Sequence, residues 1–358
     1  MSELISTRIA GALVGGALGD VMGDKRRASE ASSLVLEADG GLEHHEVGAL
    51  RLVGPFTACT QLVLFTSEAL LLAGVELERS GTCLPPALVF EAYRRWLAMR
   101  GASAPRSRDE RALGWLQSVE LLAEDRSPDA TSLEVIAQGR AGRLAARLNE
   151  ADDAGALPRA VPGGFLVPGL APGARAEEAY YLGCEIQAVT HGHDDAINAG
   201  GALAAIIGGL VAGTDLAVAV HEARELTTVP VSDALERALT LGREGTGEVE
   251  RAELRPKVNP SALEALELAL VFAQRATLGD AMAGVLALPG EVRLIGSICG
   301  SLIGARDGIE AIPASWLSSI EGVWLVEAMA HDCASWLSWL AAPDGEVELP
   351  DAWLERYA

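Results

Sequence analysis

The sequence predicts an all-α protein, and three observations predict it. Apolar residues recur at steps of three and four along most of the chain, which lines one face of a helix. No segment alternates with the period of two expected of a half-exposed strand. The 358 residues include 39 glycines and only 4% aromatics, so many interior contacts must be made by small side chains. Small contacts suit closely packed helices more than sheets built from β-branched residues. Hydrophobic residues make up 49% of the chain, enough for a large core, and no composition break marks a linker. A single domain over residues 1–358 is therefore expected.

The elements follow in order. Residues 5–23 read as a central helix, because Gly11, Gly15 and Gly19 are four apart and leave a flat stripe for a neighbouring helix. The polar stretch 24–53, with Gly40-Gly41 and the run Glu43-His44-His45-Glu46, reads as a loop. Four residues in a row cannot all converge on one ion, so that run reads as a solvated segment. Thr57 has the side chain of a helix cap, and Leu62, Phe65, Ala69 and Leu72 form one face of a helix to about residue 74. Helical patterns return at 86–99, 108–122 and 131–149 and stop at the Pro- and Gly-rich segment 155–174, read as a second loop. They resume at 176–189, 195–212 and 216–227, with Gly213-Thr214-Asp215 ending one helix and capping the next. Further helices are expected at 260–274, 278–286, 292–306 and 314–340.

A formal net charge of −22 repels phosphate backbones and anionic lipid. The basic groups Lys25-Arg26-Arg27 and Arg94-Arg95 are small and read as solvated faces. Five cysteines, Cys59, Cys83, Cys184, Cys299 and Cys333, are odd in number and widely spaced, which suggests neither a disulfide framework nor a zinc cluster. Met1-Ser2-Glu3-Leu4-Ile5 lacks a basic region followed by an apolar core. The longest apolar run, 199–213, is shorter than the ~20 residues a membrane span needs. A cytoplasmic protein with no nucleic-acid or membrane partner is expected.

Three segments carry a resemblance. Gly11-Ala12-Leu13-Val14-Gly15-Gly16-Ala17-Leu18-Gly19-Asp20-Val21-Met22-Gly23 is followed by Gly54-Pro55-Phe56-Thr57-Ala58-Cys59-Thr60. Near the C-terminus come Gly300-Ser301-Leu302-Ile303-Gly304-Ala305-Arg306-Asp307-Gly308 and Ile312-Pro313-Ala314-Ser315-Trp316. In order and spacing these are similar to the G-A-x-x-G-x-A-x-G-D-A-x-G, G-x-W-T-D-D-T, G-A-L-x-G-A-x-x-G and I-P-x-x-W motifs of the ADP-ribosylglycohydrolases. Thr190-His191 before an Ala-rich helix has its counterpart there too. The resemblance implies a compact orthogonal bundle of many helices, with a cleft where the segments meet.

The resemblance also implies hydrolysis of a ribose C1″ bond with two magnesium ions held by carboxylates and threonine hydroxyls. Here the matching positions have changed. The glutamate after the opening helix falls on Arg27, or on Glu30 if the loop shifts. The threonine survives as Thr57, while its two aspartates fall on Ala58 and Cys59. The D-x-D-T group falls on Glu291-Val292-Arg293-Leu294. Five carboxylates become one and two replacements are arginines, so no metal is expected to bind, and no cofactor. Arg293, and Arg27 beside it, become candidates to put a guanidinium where an ion would sit.

The family's phosphate loop, G-x-G-A-x-M-R-x-x-P, has its nearest match in Pro162-Gly163-Gly164-Phe165-Leu166-Val167-Pro168, which keeps glycines and lacks the arginine. Thr57, Gly163, Gly164, His191 and Arg293 are thus the expected ligand-binding residues, and Glu291, Glu30 and Asp20 the candidates for any catalysis. Cys59, at a helix start where the dipole lowers a thiol pKa, is a nucleophile candidate with His191 or His193 as base; a buried structural cysteine is the simpler reading. His191-Gly192-His193-Asp194-Asp195 resembles a ligand cluster, yet Asp194 or Asp195 more simply caps the next helix. The leading expectation is an inactive or impaired family member, a pseudoenzyme that binds an ADP-ribose-like molecule or an ADP-ribosylated protein. The rivals are an active hydrolase with one metal or none, and a purely structural protein.

Overall fold

The computed structural model describes residues 3–31, 54–101, 114–171, 175–244, 259–318, 320–342 and 348–357, without the side chains of 27–31 and 244. The first half contains α1 (Glu3–Ala31), α2 (Ala58–Ser80), α3 (Pro85–Met99), α4 (Ala130–Gln138) and α5 (Ala176–Ala188). The second contains α6 (Asp194–Ala212), α7 (Leu216–Leu226), α8 (Val229–Glu244), α9 (Ala262–Ala273), α10 (Leu278–Leu286) and α11 (Arg293–Asp307). The chain closes with α12 (Ala314–Leu317), α13 (Val323–Leu340) and α14 (Asp351–Tyr357). Among the described residues the strands are β1 (Gly54–Pro55) and β2 (Ile320–Glu321), a parallel pair that ties the entry of α2 to the entry of α13. The fold is all-α, as the periodicity predicts.

Several boundaries differ from expectation, each for a physical reason. The opening helix runs on to Ala31, because the charged residues that read as loop are also good helix formers. Glu43-His44-His45-Glu46 lies outside the described residues. The second helix continues to Ser80, where Gly81 takes a left-handed φ of 74° and closes it. The pattern at 131–149 is helical only in α4, which Gly139 ends at φ 70°. From 114 onward the pattern at 108–122 is two 3₁₀ turns, Trp115–Ser118 and Glu120–Ala123. The expected loop at 155–174 begins as a buried 3₁₀ helix, Ala154–Gly164, whose Pro158 and Pro162 the sequence reading took for breakers. Helices α8 and α14 occupy stretches given no element, and Gly322, at φ 81°, splits 314–340 into α12 and α13.

The pairing of α1 with α11 sets up everything that follows. A Cβ added to Gly15 would collide with the Gly300 carbonyl, one on Gly19 with the Gly296 carbonyl, and one on Gly11 with the Gly304 carbonyl. The pairs step up one helix and down the other, so α1 and α11 are antiparallel and touch main chain to main chain. At the last rung a Cβ on Gly23 would lie 2.8 Å from the Arg293 nitrogen. The glycine stripe thereby sets Asp20 of α1 beside the first turn of α11. By length and hydropathy α1, α2 and α6 could each cross a membrane, yet most of each is buried against neighbouring helices.

Candidate functional site

The N-terminus of α2 meets α1 and α11 at Asp20. Thr57 is the N-cap of α2, with extended backbone and a hydroxyl that accepts from the Cys59 N–H at 3.1 Å. Asp20 is fully buried and accepts four hydrogen bonds. Thr57 donates to it from its N–H at 2.8 Å and its hydroxyl at 2.7 Å, and Thr60 from its N–H at 3.3 Å and its hydroxyl at 2.7 Å. Burial pushes the Asp20 carboxyl up, opposed by the Arg293 guanidinium and the two threonines. Four donors and no acceptor form the setting of an ionised carboxylate.

Arg293 enters this cluster from the first turn of α11. Its Nη1 donates to the Thr57 hydroxyl at 2.8 Å and to the Ser127 carbonyl at 3.1 Å. Glu291 steadies it, accepting from the Arg293 backbone N–H at 3.0 Å with an oxygen 3.8 Å from Nε. Burial disfavours the Arg293 charge, but Asp20 and then Cys59 and Glu291 carry the net direction upward, so the guanidinium stays charged. Ser127 has φ 53°, the one positive value on a non-glycine residue among the described residues. That conformation costs on the order of 1 kcal/mol and aims the Ser127 carbonyl at Arg293.

The remaining sequence candidates at this point have specific places. Ala58 is buried, offers no side-chain oxygen, and its N–H donates to the Arg126 carbonyl at 2.7 Å. The Cys59 thiol lies 3.6 Å from the Ser297 hydroxyl, and burial, with Asp20 next, pushes it up to about 12. It is therefore not activated as a nucleophile. Leu294 packs in the apolar core. Arg27 and Glu30 fall in the last turns of α1, with their side chains outside the described residues.

These groups do not fit the pair of magnesium ions that the family motifs imply. The Thr57 hydroxyl donates its proton to Asp20 and accepts from Cys59 and Arg293, so neither lone pair is left for a cation. Asp20 Oδ2 already accepts three donors, and the nearest cationic group is a fixed guanidinium. A divalent cation there would have to displace Arg293 and still lack the oxygens that Ala58 and Leu294 cannot give.

A second buried cluster centres on Arg159, which the sequence reading passed over. Arg159 is 1% exposed within the 3₁₀ helix; Nη2 donates to Asp129 at 2.8 Å and to Ser132 at 2.7 Å, and Nη1 to Thr190 at 3.3 Å. Its guanidinium also lies 5.2 Å from the Tyr93 ring centre. The His191 ring is fully buried, with Nε2 3.0 Å from Asp153 and Nδ1 2.9 Å from the Thr190 hydroxyl. Burial works to raise the Asp129 carboxyl, but Arg159 and then His191 hold it below the usual carboxylate range. Burial likewise works to raise the Asp153 carboxyl, but its hydrogen bond from His191 holds it below that range too. Asp129, Asp153 and His191 are close enough to share an ion. Each, however, is already engaged: Asp129 caps α4, Asp153 caps the 3₁₀ helix, and His191 bridges Thr190 and Asp153.

The signal for Arg159 was present but lay a few residues upstream of where it was sought. Gly155-Ala156-Leu157-Pro158-Arg159-Ala160-Val161-Pro162 keeps the G-A-x-x-R-x-x-P spacing, arginine included. Gly163 and Gly164, expected to cradle a phosphate, are instead buried at the end of the 3₁₀ helix. A Cβ on Gly164 would lie 2.6 Å from the Ala204 carbonyl of α6, so helix packing alone requires a glycine there. The next helix is capped by the His193 ring, which accepts from the Asp195 N–H, while Asp194 pairs with Arg147 at 2.5 Å. The cap expected of Asp194 or Asp195 thus falls one residue earlier, and neither His191 nor His193 serves Cys59.

Comparison with known proteins matches this architecture. No curated protein matches the chain. A solved structure described as an ADP-ribosylglycohydrolase-related protein complex superposes with a TM-score of 0.60 at 20% identity, covering 95% of this chain and 100% of that one. At that identity the likeness speaks for the fold alone. A family model, ADP-ribosylglycohydrolase, matches residues 1–344. With nearly the whole length matched, the chain belongs to the ADP-ribosylglycohydrolase family.

Proposed function

We propose that this chain is a binding member of its family, a pseudoenzyme in which the Arg293 guanidinium stands where a cation would be needed for hydrolysis. The ligand class is an ADP-ribose-like small molecule, free or carried on a modified protein. One observation carries the reading: the Thr57 hydroxyl is saturated by Asp20, Cys59 and Arg293. A positive charge held by a side chain balances Asp20 without a coordination shell, and no water is polarised by it for attack.

The test pairs a calorimetric titration of magnesium into the protein with an assay for ADP-ribose release from modified arginine and serine peptides. The expected result is no saturable magnesium heat and no release above the uncatalysed rate, alongside saturable binding of ADP-ribose. Turnover that stops with chelator and returns with magnesium would overturn the proposal. A gain of function provides the converse check. Replacing Ala58→Asp, Cys59→Asp and Arg293→Asp together should create magnesium binding that the parent lacks.

A further inference from the structure

A cavity of about 630 Å³ opens between the start of α3, the segment 139–148 that follows α4, and the last turn of α5. It shares no lining residue with the Asp20 cluster. Its size lies within the range of about 300–1,000 Å³ typical of small-molecule sites. Phe90 forms a buried apolar floor, and Leu84 and Leu144, 72% and 38% exposed, stand at its rim.

The charged groups around this cavity are what single it out. Glu185, on α5, has no hydrogen bond or ion pair among the described residues; burial pushes its carboxyl up and no neighbouring group pulls it back. Glu91, on α3, accepts from Arg94 through Oε1 at 2.8 Å, while its Oε2 is buried without a partner. Arg140 and Arg143, both exposed, line the same cavity from the segment 139–148 and make no side-chain ion pair among the described residues. Glu185 and Glu91 thus line the same space as Arg140 and Arg143 without pairing with them, and leaving the half-buried Glu185 carboxylate unpaired is costly.

We propose that this cavity binds a small zwitterion with an apolar body, an apolar amino acid or short peptide with free ends. Its ammonium group faces Glu185 and Glu91, its carboxylate faces Arg140 and Arg143, and its side chains lie on Phe90 between Leu84 and Leu144. A ligand of this form satisfies both sets of charges at once, which a purely anionic or purely apolar one does not.

The probe is dileucine titrated calorimetrically into the full chain. Saturable one-to-one heat is expected, and N-acetylation or C-terminal amidation of the peptide should each weaken binding by about tenfold or more, since each removes a charge-assisted contact. Glu185→Gln should weaken dileucine but leave N-acetyl-dileucine as it was. Arg140→Ala with Arg143→Ala should weaken dileucine but not the amide. Arg140 and Arg143 are exposed and Glu185 is half-buried, and an unchanged melting temperature verifies that the variants fold. Absence of saturable heat, equal binding of the blocked peptides, or displacement of dileucine by ADP-ribose overturns the proposal. Arg293→Ala should leave dileucine binding intact, so this test and that of the proposed ADP-ribose binding fail separately.

Discussion

Two buried arginines, Arg159 and Arg293, are held in opposite ways. Arg159 touches its carboxylate directly, donating to Asp129, and its remaining faces are closed by Ser132, Thr190 and the Tyr93 ring. Arg293 reaches Asp20 only through the hydroxyl of Thr57, and the carboxylate it approaches without an intermediary, Glu291, is 3.8 Å away. The first is an internal tie between α4, the 3₁₀ helix and the turn at Thr190. The second is a charge placed where the N-termini of α2 and α11 meet the side of α1. A directly paired arginine is part of the framework, whereas one coupled through a hydroxyl can be altered with less damage.

The largest effect should come from breaking the direct pair. Arg159→Ala leaves Asp129 buried and uncompensated, so denaturant unfolding should show a loss of about 3–5 kcal/mol, or a chain that fails to fold. Arg293→Ala leaves Asp20 its four donors from Thr57 and Thr60 and should cost about 1–3 kcal/mol in the same measurement. Equal losses would erase the distinction. A smaller effect tests the relay itself. In a double-mutant cycle, Thr57→Val and Arg293→Ala should couple by about 0.5–3 kcal/mol, while Thr57→Val and Arg159→Ala should add independently.

The smallest effect is in acid. The Asp129 and Asp153 carboxyls lie below their ordinary value of 3.8 in the folded protein. At these two groups the folded state therefore binds fewer protons than the unfolded chain, and the stability they contribute is present above that pH and is lost as pH falls through it toward the folded values. Asp129→Asn should flatten the fall of melting temperature below about pH 4, at the expense of some stability at neutral pH. An acid limb as steep as that of the parent would show that the Arg159 cluster does not set it.

Much of this arrangement was legible in the sequence, and the failures have physical causes. Gly11, Gly15 and Gly19 announced a close helix contact because their spacing has few other uses, and Thr57 announced a cap because its hydroxyl sits just ahead of an apolar helix. Arg293 stood out because a cation at a position where the resemblance asks for an anion is a chemical contradiction. Asp20 was named only as a candidate for catalysis, and nothing local reveals that Thr60 and Thr57 both turn toward it. Arg159 was hidden by Pro158 and Pro162, which mark an irregular segment in sequence yet sit comfortably in a 3₁₀ helix. The polar end of α1 was read as loop because charge alone does not separate a solvated helix from a turn.

The main-chain contact between α1 and α11 has a consequence for movement. Where side chains separate two helices, a change of rotamer can let them slide or part by a fraction of a turn. Here the touching surfaces are carbonyl oxygens and α-carbons, which have no alternative positions. Asp20 and the first turn of α11 are therefore held in a fixed relation, and any relative movement around the buried cluster has to come from the α2 side or from the turn at Ser127.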